Sequence, residues 1–199
     1  MINLLLFLSL GWSAVVNESV GRVGERVVTS REVKVSQAVE KILKNENKSI
    51  SENSNQQEVT AVLLEWVVAL EAENFSVGQV TPEEIESLLK DIEKKSSLQA
   101  LLREQRFQEE ELRKLLQRKL VARNFIQFKT NSFTSAISDE EAKTFYEANP
   151  KRFSGAGFEV LKPNIKSYLS QQQLNERLKS WFELLKRKYK VQNFLLDEK

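Results

Sequence analysis

Residues 20–32 read Val20-Gly21-Arg22-Val23-Gly24-Glu25-Arg26-Val27-Val28-Thr29-Ser30-Arg31-Glu32. The two halves alternate weakly around Gly24, which predicts two short strands and a tight turn. Thr29 and Glu32 have the spacing of a capping box: the hydroxyl accepts from the third helical amide and the carboxylate reaches back. A helix is therefore expected to about Leu43, with Val35, Ala38, Val39, Ile42 and Leu43 on its apolar stripe. At the other end, Tyr189, Val191 and Asn193 alternate against Lys190, Gln192 and Phe194, so Tyr189 to Leu195 is expected to end the chain as a strand. Pairing of the two ends would join the first and last segments in one module.

The residues between read as helices. Val59, Val62, Leu63, Trp66, Val67 and Leu70 form a clean helical stripe. Thr81-Pro82-Glu83-Glu84 supplies a cap, a proline at the first position and acids in the first turn, so a helix is expected to about Lys95. Leu98 to Lys129 is helical in pattern. A break at Arg106-Phe107-Gln108 is left open, because neither Gly nor Pro marks it. Leu112, Leu115, Leu116, Leu120 and Phe125 share one face, and Arg113, Lys114, Arg118 and Lys119 the other. Ser138-Asp139-Glu140-Glu141 is a second capping box, and Asn149-Pro150 closes its short helix. Ser154-Gly155-Ala156-Gly157 reads as a loop. Pro163 is expected to start the last helix, 163–188, with Ile165, Leu169, Leu178, Trp181, Phe182 and Leu185 inside. Asn45 to Gln57 is polar and reads as a mobile loop. The fold class is mainly α, with short strands near both termini that can pair.

The chain has 199 residues, 30 Lys+Arg against 28 Asp+Glu, and neither His nor Cys. The two zeros exclude disulfides, zinc sites built on Cys or His, and Ser-His or Cys-His nucleophile pairs. A net charge of +2 makes no case for nucleic-acid binding. Six Gly and three Pro fit long helices with few turns. No catalytic residue, cofactor or metal is expected.

Ile2-Asn3-Leu4-Leu5-Leu6-Phe7-Leu8-Ser9-Leu10 is too short to cross a bilayer as a helix. Gly11-Trp12-Ser13 fits the small-x-small rule before a cleavage point, so residues 1–14 read as a secretory signal peptide and 15–199 as a single module. No Lys or Arg precedes the apolar run, which leaves a buried amino-terminal strand or helix as the alternative. With the signal, the mature protein is expected to work outside the cytosol. No integral membrane span is expected.

The clusters Glu83/Glu84 and Asp139/Glu140/Glu141 sit at helix starts, where acids complement the dipole. Gly155-x-Gly157 lacks the spacing and lysine of a phosphate loop. Residues 151–199 hold eleven Lys+Arg against five acids, which reads as the solvated end of a helix or a local basic patch. Trp66 and Trp181 lie on core stripes. Phe107, Phe125, Phe128 and Phe133 are the candidate peptide-binding residues, because long thin helices cannot easily cover every aromatic and exposed apolar surface marks binding.

Four stretches resemble the SurA-like periplasmic chaperones. Val20 to Val33 is similar to that family's opening hairpin and capped first helix. Leu98 to Gln105, with Glu110 to Leu116, resembles its central helix pair. Ile137-Ser138-Asp139-Glu140-Glu141-Ala142-Lys143-Thr144-Phe145-Tyr146-Glu147-Ala148-Asn149 resembles its "SDEE…FYE.N" segment. Phe158 to Leu169, running into Leu174 to Leu178, looks like the helix that returns to complete the module. The resemblance implies a helical chaperone module. A parvulin isomerase domain usually separates the last two stretches, and only Lys151 to Gly157 stands there. The isomerase histidines are missing, so prolyl isomerase activity is not implied. The glycine that commonly marks the turn between the central helices is absent near Phe107, so that pair is expected to be straighter or fused.

The expected function is an ATP-independent holdase for unfolded or extended polypeptide clients, outer-membrane proteins among them, working as a monomer or a homodimer. The alternatives are an envelope adaptor with one fixed protein partner, a prolyl isomerase with an unfamiliar site, and a nucleic-acid binder.

Overall fold

The computed structural model describes residues 17–44, 55–153 and 155–196. In chain order these form β1 (Ser19–Val23), β2 (Arg26–Thr29), α1 (Ser30–Leu43), α2 (Gln56–Phe75), α3 (Pro82–Glu93), α4 (Ser96–Glu104), α5 (Glu109–Phe133), α6 (Asp139–Ala148), α7 (Phe158–Lys188) and β3 (Val191–Asn193). The protein is mainly helical, with one small antiparallel sheet built from its two ends. The expected signal peptide lies outside the described residues. So do residues 45–54 of the expected loop, whereas Asn55 and Gln57 belong to the capped start of α2.

The sheet has β1 in the middle, with β2 on one side and β3 on the other. Gly21 sits opposite Val28 on one strand and Asn193 on the other. A Cβ there would stand 2.8 Å from the Gln192 carbonyl oxygen and 3.0 Å from Leu63 Cδ1, so only glycine lets β3 and α2 close on β1. Gly24 turns the hairpin at φ 57, and its amide donates to the Tyr189 carbonyl at 2.8 Å. Asn193 Nδ2 donates to the Gln56 carbonyl and to Thr60 Oγ1, which fixes β3 to the start of α2.

Three apolar clusters fill the interior. The first joins the sheet, α2, the second half of α5 and the end of α7, around Val28, Leu63, Val67, Phe125 and Trp181. The second joins α1, α3, α4 and the first half of α5, around Val39, Ile92, Leu98, Leu112 and Leu116. The third is small: Ile137, Ala142 and Ile165 hold α6 against the first half of α7, with Phe145, Tyr146, Phe153 and Phe158 around them. Helix α7 has 31 residues, about 46 Å at 1.5 Å per residue, so it serves the third cluster at one end and the first at the other.

Four expectations need correction. The central pair is not fused: α4 ends in a left-handed turn with Arg106 at φ 48. The Phe107 amide donates to the Leu102 carbonyl at 2.8 Å, the long bond of a Schellman ending. Arginine thus takes the place that glycine usually marks. Helix α7 starts at Phe158 rather than Pro163. Proline costs one amide bond, to the exposed Glu159 carbonyl, while Phe158 and Leu161 gain burial in the third cluster. The capping box at Thr29 is half made: Thr29 Oγ1 accepts from the Glu32 amide, but the Glu32 carboxylate turns away into the interior. Finally, Arg118 and Lys119 are not on a solvated face; each is only 7% exposed.

Candidate functional site

Helices α2 and α5 run against each other and hold a buried charge cluster between the first and second apolar clusters. Arg118 Nε donates to Glu65 Oε1 and Nη1 to Glu32 Oε1, both at 2.6 Å. Lys119 Nζ donates to Glu65 Oε2 at 2.7 Å and to Glu40 Oε2 at 3.2 Å. Trp66 Nε1 donates to the same Glu32 oxygen at 2.7 Å. The guanidinium carbons of Arg26 and Arg118 both lie 4.0 Å from the Trp66 ring centroid. The indole thus makes cation–π contacts with two guanidinium groups. Glu32, Glu65, Arg118 and Lys119 are tolerable at this depth only because each is paired and hydrogen-bonded, while Glu40, 36% exposed, closes the cluster at its edge. Burial pushes the Glu40 carboxyl up, and the Lys119 and Lys44 ammonium groups pull it further the other way, leaving it below its ordinary 4.5.

Two clefts flank the α2–α5 pair. One, of about 610 Å³, is an open groove between α1, α2 and α5 with Phe182 of α7 at its end. Its floor is apolar, built from Ala61, Leu64, Val68, Ala122 and Ile126, and Glu40, Lys44, Glu58 and Arg123 stand on its rim. The Gln37 Nε2 atom within it is buried and has no hydrogen-bond partner. The other cleft, of about 520 Å³, lies on the opposite helical faces, lined by Trp66, Leu70, Val77, Val80, Lys114, Arg118 and Val121.

The four candidate phenylalanines do not form one site. Phe107 packs in the second cluster with the Arg31 guanidinium 4.8 Å from its ring centroid. Phe125 is 0% exposed and belongs to the core, because α5 turns its second half onto α2 and α7; as a groove residue it is corrected. Phe133 is partly buried against the first cluster, edge-on to Trp181. Phe128 is 43% exposed and stacks on Phe125 with centroids 6.0 Å apart. Phe75, at 49% exposure, meets Phe125 from α2, so Phe75 and Phe128 form an aromatic surface over a buried one. Trp181 is buried as expected, while Trp66 is half-buried and held by charge as much as by apolar contact.

Sequence reading missed the groove, Phe75, and the charge cluster. One signal was available: Glu65 and Glu71 are acids inside the otherwise apolar run Val62 to Ala72. Acids at core positions of a helix need partners. Glu71 finds them in Lys188 and in the Tyr189 hydroxyl, which donates at 2.6 Å.

Among the described residues, no group of side chains is arranged to hold a metal ion, and no helix is long and apolar enough to cross a membrane. Comparison with protein-family models, curated proteins and solved structures gives no match.

Proposed function

We propose that the protein is an ATP-independent holdase that binds unfolded or extended polypeptide, a SurA-like module without prolyl isomerase activity that acts in the periplasm. The observation that carries this reading is the open groove beside α2. A groove of about 610 Å³ with an apolar floor and charged residues in its lining suits aliphatic and aromatic side chains of a non-native chain while leaving a client's polar groups in water. The exposed pair Phe75 and Phe128 adds a second apolar contact surface. The order of the four sequence stretches described above supports the same assignment.

The test is light scattering of an aggregating client mixed with the protein. Suppression at a few-fold molar excess without nucleotide is the expected result. A groove variant, Leu64→Asp, should lose most of that suppression. Undiminished aggregation at every ratio would reject the holdase reading. A single stoichiometric partner in pull-downs, in place of many clients, would favour the adaptor. Faster cis-to-trans conversion of an X-Pro peptide would restore the isomerase.

A further inference from the structure

The second cleft, on the other side of the α2–α5 pair, is a site in its own right. Arg118 lines it, and its side chain is 6% exposed. Two of its nitrogens are taken by Glu65 and Glu32. The third, Nη2, is buried and donates to nothing. A guanidinium donor left unmet in the interior is costly, and this one belongs to a side chain on the wall of the cleft. The ionisable residues lining the cleft are Lys114, Arg118 and Glu73; Arg118 is held by Glu32 and Glu65, and Lys114 makes an exposed ion pair with Glu110 at 3.4 Å. Neither carboxylate that holds Arg118 lines this cleft, and Glu65 faces the opposite groove. The remaining walls include Trp66, Val80 and Val121. A cleft of about 520 Å³ falls in the range of small-ligand sites.

We infer that this cleft binds a carboxylate carried on an apolar body, with Arg118 and Lys114 at the carboxylate and Trp66, Val80 and Val121 along the body. Such a group occurs on a free organic acid and at the C-terminus of a polypeptide. This inference does not rest on the holdase reading, since the client groove is a separate surface.

The experiment is NMR titration of the full chain, following the Trp66 indole N–H and the side-chain amides of Gln79 and Gln117, both of which line the cleft. The probes are octanoate and octanamide, and acetyl-Ala-Leu-Leu as free acid and as amide. At least one acid should give saturable shifts, with its amide about tenfold weaker, as expected when a charge-assisted bond is lost. Binding by octanoate assigns a free acid; binding by the peptide acid alone assigns a polypeptide C-terminus. Lys114→Glu should weaken the acid by about tenfold or more and leave amide binding unchanged. Lys114 is exposed, so this variant keeps the test if Val80→Trp, which fills the cleft, fails to fold. Folded Val80→Trp should abolish the shifts. No saturation by either acid, equal binding of acid and amide, or binding indifferent to Lys114→Glu would overturn the inference.

Discussion

Arg118 Nε donates to Glu65 Oε1 at 2.6 Å across 53 positions of sequence, at the level where two apolar clusters meet along α5. The contact fixes the rotation of α5 against α2, and both clefts take their shape from that rotation. Replacing Arg118 with Met should destabilise the fold by about 3–5 kcal/mol, because buried Glu32 loses its counter-charge and Glu65 loses one of its two, keeping Lys119. Glu65→Gln keeps the shape and one hydrogen bond and should cost less, about 1–3 kcal/mol. Urea unfolding of both variants measures this. An Arg118 loss below about 1 kcal/mol would mean that water takes over the pairing.

Gly21 tests whether the two chain ends are held together by a side chain that is not there. Gly21→Val places new atoms against the Gln192 carbonyl and Leu63. Overpacking of this kind should cost about 1–3 kcal/mol. Hydrogen exchange should show loss of protection at the Phe194 amide, which donates to the Val20 carbonyl, before any change in α3 or α4. Uniform loss across the chain would show that the sheet and the second cluster unfold as one unit.

Phe125 and Phe128 touch, yet their substitutions should separate. Phe125→Ala removes a fully buried ring and should cost about 3–5 kcal/mol. Phe128→Ser removes a ring already 43% exposed and should stay within about 1 kcal/mol while lowering suppression of client aggregation. Thermal melts and light scattering on the same samples read both effects. Equal destabilisation would place Phe128 with the core.

Glu71 sets part of the acid stability. Burial pushes its carboxyl up, but hydrogen bonds from Lys188 and Tyr189 and the Lys188 charge outweigh that and hold it below its ordinary 4.5. A depressed folded value means that the contribution is full above the unfolded value and fades as pH falls through the folded one. Glu71→Gln should therefore be less stable than the parent at pH 7, and the gap should close below about pH 4.5. Denaturant midpoints across pH 3–7 check the sign. A gap that widens on acidification would contradict it.

Much of the scaffold was legible in the residues because capping chemistry is local. Thr81 caps α3 and Ser138 closes its capping box as their spacing predicts, and the alternation after Tyr189 becomes β3 over Val191–Asn193, shorter than expected. The reading failed where distant partners decide. Arg118 and Lys119 sit among Arg113 and Lys114 in sequence, and helical spacing alone cannot tell a solvated cation from one met by Glu32, Glu40 and Glu65 of two other helices. Arg106 breaks a helix without glycine because the second cluster holds Leu102 and Phe107 on either side of the turn. The candidate binding residues rest on an excess of aromatics that long helices cannot all cover. That criterion found Phe128 and also drew in Phe125, since one helix turns adjacent rings toward solvent and toward the core.

The sheet has a consequence for how the protein comes into being. As the polypeptide emerges from its amino end, β1 and β2 appear first, but one edge of β1 waits for Val191–Asn193. Closing a loop of nearly the whole chain carries an entropic cost that local helices do not share. Nascent molecules should therefore dwell as a set of formed helices around an unfinished ribbon, and the sheet should close in a late, cooperative step when Val191–Asn193 arrive.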